Sequence, residues 1–183
     1  MRLFAGLDLP EDIQQRLARL VEELRPAARL RWSPAANLHI TTKFIGEWEE
    51  ARLSELKQCL GAVAGEPIRI GIRGLGWFPN PHNPRVFFAA VRAEESLAEL
   101  ARATEAALEG VGIAREERPY SPHLTLARID DRAGLVELRR RVASLSSDDF
   151  GEFTAAEFHL YLSRTGPAGS VYSKLATFPL VNA

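Results

Sequence analysis

The stretch "NLHITTKFIG", residues 37–46, decides how the rest of the chain is read. Leu38, Ile40, Thr42 and Phe44 alternate with His39, Thr41 and Lys43, the period of a strand with two unlike faces. An imidazole, a hydroxyl and an ammonium then share one side. Nearly the same phrase returns in "SPHLTLAR", residues 121–128, where Thr125 again stands two places after His123. Only 4 histidines and 7 threonines occur among the 183 residues. Chance would set threonine at the second place after two of those histidines in roughly one such sequence in a hundred. A single phrase would be an ordinary half-buried strand. The pair points to a site.

The chemistry of the pair is specific. A spacing of two along a strand sets imidazole and hydroxyl on the same face, about 6–7 Å apart at the backbone. Imidazole is the side chain able to act as base or acid near neutral pH. Two of them can deprotonate a nucleophile and protonate a leaving group in one displacement. The hydroxyls are neutral donors suited to the non-bridging oxygens of a phosphate. A catalytic zinc site needs about three protein ligands, and each phrase offers one, with no carboxylate close by. No metal and no cofactor are expected.

Outward from these strands, the chain alternates between the two periods. "RLFAGLDL" (2–9) reads as a strand, and Pro10 starts a helix carrying Ile13, Leu17, Leu20, Val21 and Leu24 on one face. A short strand near "RLRW" and a turn at "SPAAN" precede the first histidine strand. A helix from about Glu49 follows, with Leu53, Leu56, Leu60 and Val63 in register. Strands 67–78 and 84–91 flank the loop "PNPHNP". A third helix from about Glu94 presents Leu97, Leu100, Thr104, Leu108 and Val111. After the second histidine strand comes a helix with Leu135, Leu138, Val142 and Leu145, then strands 155–163 and 170–178 around "RTGPAG". No linker divides the chain, so one α+β unit over 1–183 is expected. It should be mostly antiparallel, with two similar lobes, each holding one histidine phrase, across a central cleft and helices outside.

Bulk properties narrow the partners. A net charge of −1 with 26% charged residues supplies no global field for long polyanions. A local basic cleft remains compatible with that balance. The lone Cys59 has no disulfide partner within the chain and reads as a buried packing residue. The apolar run in "MRLFAGLDLPEDI" is too short for a signal peptide, and no segment is long enough to span a bilayer. A cytoplasmic monomer without membrane contact is expected.

The phrases "HITT" (39–42) and "HLTL" (123–126) resemble the paired motifs of the 2H phosphoesterase superfamily. The chain is similar in particular to the bacterial and archaeal RNA 2′,3′-cyclic phosphodiesterases, also called 2′-5′ RNA ligases. That likeness runs through "RLFAGLDLP", "LHITTKFIG", "PRVFFAAV", "PHLTLAR" and "LYLSRTGPAGSVYSKLATFPL". Thr42 departs from the family's usual apolar residue, but its parity turns it away from the site. The resemblance implies a bilobal α+β fold with the motif strands lining the cleft. It implies opening of a 2′,3′-cyclic phosphate at an RNA end to a 2′-phosphate, and reversible 2′-5′ joining of RNA ends. By the same resemblance His39 is the acid for the departing 3′ oxygen and His123 the base for water.

Further residues fall around this frame. Arg128 matches the family's motif arginine and suits a phosphate, but its odd parity requires the strand to bend or end. Lys43 either adds positive potential beside His39 or is a solvated strand lysine. Phe44 and Tyr120 either stack on a base or pack in the core or at the rim. His82 and His159 lack the threonine and read as structural. "TGPAGS" lacks the Walker lysine and reads as a turn edging the site, and Asp130 and Asp131 read as caps for the following helix. Two other functions fit the same residues: hydrolysis of a small cyclic phosphate nucleotide, and RNA or nucleotide binding without catalysis.

Overall fold

The computed structural model describes residues 1–167 and 169–181. In β1 (Arg2–Leu7) the side chains of Leu3, Ala5 and Leu7 enter the core, and Phe4 and Gly6 face the other way. Helix α1 (Glu11–Leu24) buries Ile13, Leu17, Leu20, Val21 and Leu24, the stripe its spacing requires, and carries Glu11 and Asp12 at its positive end. A two-residue strand, β2 (Arg31–Trp32), and a 3₁₀ turn (Ala35–Asn37) lead to β3 (Ile40–Glu47). Helix α2 (Leu53–Gly61) follows a second 3₁₀ turn, then β4 (Ile68–Phe78), β5 (Val86–Ala93) and helix α3 (Glu95–Glu109). The chain continues through β6 (His123–Arg128), α4 (Leu135–Ala143), β7 (Asp149–Ala155), β8 (Glu157–Gly166) and β9 (Gly169–Pro179).

These elements form an α+β fold with two antiparallel sheets, ordered β3-β1-β8-β9 and β2-β6-β5-β4-β7. Helices α2 and α3 pack on the first sheet; α1 and α4 pack together, with α1 against β7 of the second. The sheets meet where β3 approaches β6, so each histidine phrase lies at the seam. The lobes are not the two halves of the sequence. The first sheet joins β1 and β3 to β8 and β9, and the second sets β2 at its edge beside β6 and β4 between β5 and β7. No helix among the described residues is long and apolar enough to cross a membrane.

Three local expectations change. Strand β7 has no counterpart in the sequence reading, because Gly151 at φ +113° interrupts its alternation. Asp130 and Asp131 do not cap α4: Gly134, in the left-handed region at φ +83°, starts that helix with no side-chain cap. Asp131 instead accepts the Ala133 N–H at 3.0 Å, and Asp130 pairs with Arg31. Cys59 is only half-buried, and its thiol donates to the Ala107 carbonyl at 2.8 Å, linking α2 to α3.

Candidate active site

Two β-bulges determine what faces the cleft. Between β1 and β3, Gly6 lies opposite Thr41 and Ala5 opposite Lys43, leaving Thr42 as the extra residue, and Phe4 lies opposite Phe44. Residues directly opposite in an antiparallel pair share a face. Thr41 and Phe44 therefore stand on the side of Gly6 and Phe4, while Lys43 turns with Ala5 toward the interior. In β6 the bulge falls at Leu126: His123 is opposite Ala90, Thr125 opposite Phe88, and Arg128 opposite Val86. Ala90, Phe88 and Val86 alternate on one face of β5, so Arg128 joins His123 and Thr125 despite its parity. The bend that Arg128 needed is that bulge.

The two histidines are held alike. His39 Nδ1 lies 2.6 Å from the Asn37 carbonyl, and His123 Nδ1 lies 2.8 Å from the Ser121 carbonyl, two residues back in both cases. A carbonyl only accepts, so each Nδ1 carries hydrogen and each Nε2 is left for the site. His39 Nε2 is 2.9 Å from Thr41 Oγ1, which donates to it when the ring is neutral. Aromatic rings fix both imidazoles. Phe4 lies 4.4 Å and Tyr172 5.1 Å from His39 between ring centroids, and Phe78 lies 4.9 Å from His123. Gly6 permits this approach, since a Cβ there would stand 2.6 Å from the Ile40 carbonyl oxygen.

Burial pushes the His39 pKa below its ordinary value. The Asn37 carbonyl and the Asp8 carboxylate oppose that shift, and the charge of His123 reinforces it. A cavity of about 210 Å³ opens beside His39, lined among others by Asp8, Asn37, Tyr161, Tyr172 and Lys174. Burial raises the Asp8 carboxyl, but hydrogen bonds from Lys174 and Tyr161 outweigh it and hold the group below the usual carboxylate range. Tyr161 is pushed upward by burial and by its bond to Asp8.

Lys43 is corrected by this geometry. It is buried, with Nζ 2.8 Å from Glu105 and 2.9 Å from the Ala114 carbonyl, and it does not face the cleft. The bulge at Thr42, absent from any local pattern, reverses its side. Phe44 is 61% exposed on the cleft face instead. The Tyr120 hydroxyl donates to the Thr41 carbonyl at 3.0 Å and so tethers the segment before β6 to β3. Burial raises its pKa. His159 is buried, 3.0 Å from Thr177 Oγ1 and near Asp8 and Glu157, and His82 lies in the exposed loop after β4. Among the described residues no three His, Cys, Asp or Glu side chains gather as metal ligands would. Sequence reasoning missed Asn37, which the turn before β3 sets beside His39, and Asp8, Tyr161, Tyr172 and Lys174, which come together through pairing of β1, β8 and β9.

A fold of two antiparallel sheets whose seam carries paired histidine–threonine phrases is a phosphoesterase arrangement. The chain belongs to the family described as LigT like Phosphoesterase, whose model matches residues 7–88 and 90–172, one stretch for each phrase. It is 33% identical to the RNA 2′,3′-cyclic phosphodiesterase of Archaeoglobus fulgidus over 178 residues, covering 97% of this chain and 99% of that protein. A crystal structure from Thermus thermophilus superposes with a TM-score of 0.81 at 33% identity, covering 98% of each chain. E. coli LigT, crystallised with 3′-AMP, shares the fold with a TM-score of 0.82 at 23% identity, covering 99% of this chain and 98% of that one.

Proposed function

We propose that the protein is an RNA 2′,3′-cyclic phosphodiesterase that opens terminal cyclic phosphates to 2′-phosphates by two-histidine acid–base catalysis. The observation that carries this reading is the matched pair of imidazoles, each with Nδ1 committed to a carbonyl. Membership of the LigT-like phosphoesterase family, together with 33% identity to the Archaeoglobus enzyme over nearly the full length, supports the substrate class. His123 removes a proton from water as the water oxygen bonds to phosphorus. The bond from phosphorus to the 3′ oxygen breaks, and His39 protonates that oxygen. Thr41 and Thr125 donate to the phosphoryl oxygens as charge builds on them, and Arg128 adds a fixed positive charge. Burial favours neutral His39, so its protonation accompanies arrival of the phosphate anion.

Phe44 is a stacking surface for the base, and Tyr120 acts by holding β3 against β6. With a 5′-hydroxyl RNA end replacing water as the nucleophile, the same groups would form a 2′-5′ linkage in the same direction: the 5′ oxygen bonds to phosphorus, His123 takes its proton and His39 protonates the departing 3′ oxygen. In this reading the catalyst works as a monomer and without a metal.

The test is a panel of nucleoside 2′,3′-cyclic phosphates and oligonucleotides with cyclic-phosphate ends, with the product phosphate located by NMR. A 2′-phosphate product, resistance to chelators and near-complete loss in both His39→Ala and His123→Ala are expected. The double variant should be little worse than either, because groups acting as a unit are non-additive. Full activity in either single variant, or chelator loss restored by a divalent ion, overturns the mechanism. Turnover confined to mononucleotides would transfer the reading to small cyclic phosphates.

A further inference from the structure

Arg31 of edge strand β2 lies directly opposite Arg128 of β6, and Trp32 lies opposite Ala127. Trp32 packs inward on Phe87, so Arg31 stands with Arg128 on the cleft face. Like charges directly opposite on neighbouring strands are unfavourable. Among the described residues only Asp130 offsets them, and it is taken by Arg31, with Nε 2.5 Å and Nη2 2.9 Å from its two oxygens. Among the described residues Arg128 has no ion pair. The Asp130 carboxyl is held below its usual range by its hydrogen bond from Arg31, with Arg85 and Arg128 adding to the effect. Two facing arginines, Arg31 and Arg128, thus share one carboxylate, which contacts Arg31, at the end of the strand that carries His123. A locally unfavourable arrangement of this kind at the margin of a site marks a binding role.

The placement points to the ligand. Arg31 lies one strand beyond Arg128 on the same face, about 5 Å to its side at the backbone. If Arg128 serves the reacting phosphate, a long side chain one strand further out can meet a neighbouring phosphodiester of the same RNA strand. A bidentate guanidinium suits such a group, and a mononucleotide has none to offer. We propose that Arg31 binds the phosphodiester adjacent to the reacting cyclic phosphate, so that the site prefers an RNA end to a free nucleoside cyclic phosphate. This rests on the cyclic-phosphodiesterase reading above. Asp130 orients the guanidinium and moderates its charge.

The experiment compares kcat/KM for a nucleoside 2′,3′-cyclic phosphate with that for a dinucleotide bearing the same terminal nucleoside, in wild type, Arg31→Gln and Asp130→Asn. Arg31→Gln should lower the dinucleotide-to-mononucleotide ratio about tenfold, the size of one charged hydrogen bond. It should also flatten the dependence of log kcat/KM on log salt for the dinucleotide by about 0.7. Asp130→Asn should raise the ratio, because it frees positive charge. If the pair only braces β2, both variants break the same contact and shift both substrates alike, and the proposal falls. An unchanged ratio in Arg31→Gln is equally decisive against it. Wild-type inactivity on both substrates would overturn the functional reading and this proposal together, whereas activity on both with no change of ratio overturns this proposal alone.

Discussion

Gly6→Ala tests the construction of the site without touching a proposed catalytic group. The added Cβ would stand 2.6 Å from the Ile40 carbonyl oxygen and 3.4 Å from Thr41 Cα. Ordinary contact begins near 3.4 Å, so β3 must retreat by about 0.8 Å between His39 and Thr41. The obstacle is backbone, which cannot rotate aside as a side chain would. Overpacking of this order costs about 1–3 kcal/mol, or roughly 2–4 °C in melting temperature per kcal/mol for a chain of this size. Misplacing a reacting group by about 1 Å can lower turnover about a hundredfold. The protein should therefore remain folded at 25 °C, melt several degrees earlier and lose up to about two orders of magnitude in kcat on a cyclic-phosphate substrate. Gly71→Ala in β4 is the control, because its Cβ would meet nothing nearer than 3.8 Å. Wild-type kcat and melting temperature in Gly6→Ala would refute the claim that close approach of β1 to β3 sets the histidine geometry.

Removing a hydroxyl should affect rate more than stability: Thr41→Val and Thr125→Val are each expected to lower kcat about 10²–10³-fold, and wild-type rates would reduce both threonines to strand formers. Lys43→Met should destabilise by about 3 kcal/mol in denaturant melts, the lower end for a broken buried pair, since Glu105 keeps some solvent contact and the Glu116 N–H. KM should hardly move, and a large rise in KM would return Lys43 to the site. Burial lowers the pKa of both His39 and His159, so the unfolded chain binds their protons more readily. Stability should then fall as pH drops below about 6.5. His159→Gln should flatten that slope in melts run across pH 5–8, and an unchanged slope would exclude His159 as a source.

What was legible in the sequence was written in local periods. The apolar stripe of α1 repeats from one turn to the next, and each histidine–threonine spacing lies within one pleat, so backbone geometry alone sets the side. Lys43 and Phe44 exchanged sides because the bulge at Thr42 falls in a run without glycine or proline to mark it. Arg128 escaped that error, since its chemistry demanded a bend before the register revealed one. The surroundings of His39 were illegible for a different reason. Asp8, Tyr161 and Lys174 meet across strands separated by most of the chain, and no local pattern encodes which strands will pair.

The interleaving of strands has a kinetic meaning. β1 finds β8 only after nearly the whole sequence has been made, and β4 takes its place between β5 and β7. Pairings of such long separation incur their loop-closure entropy before they return any contact energy, which slows folding. A chain cut in the exposed loop 79–84 would yield two fragments, each holding strands of both sheets and the whole of neither. Neither fragment would present an intact seam, so reconstitution in trans, with second-order kinetics, would be the only route from the pieces back to a catalyst.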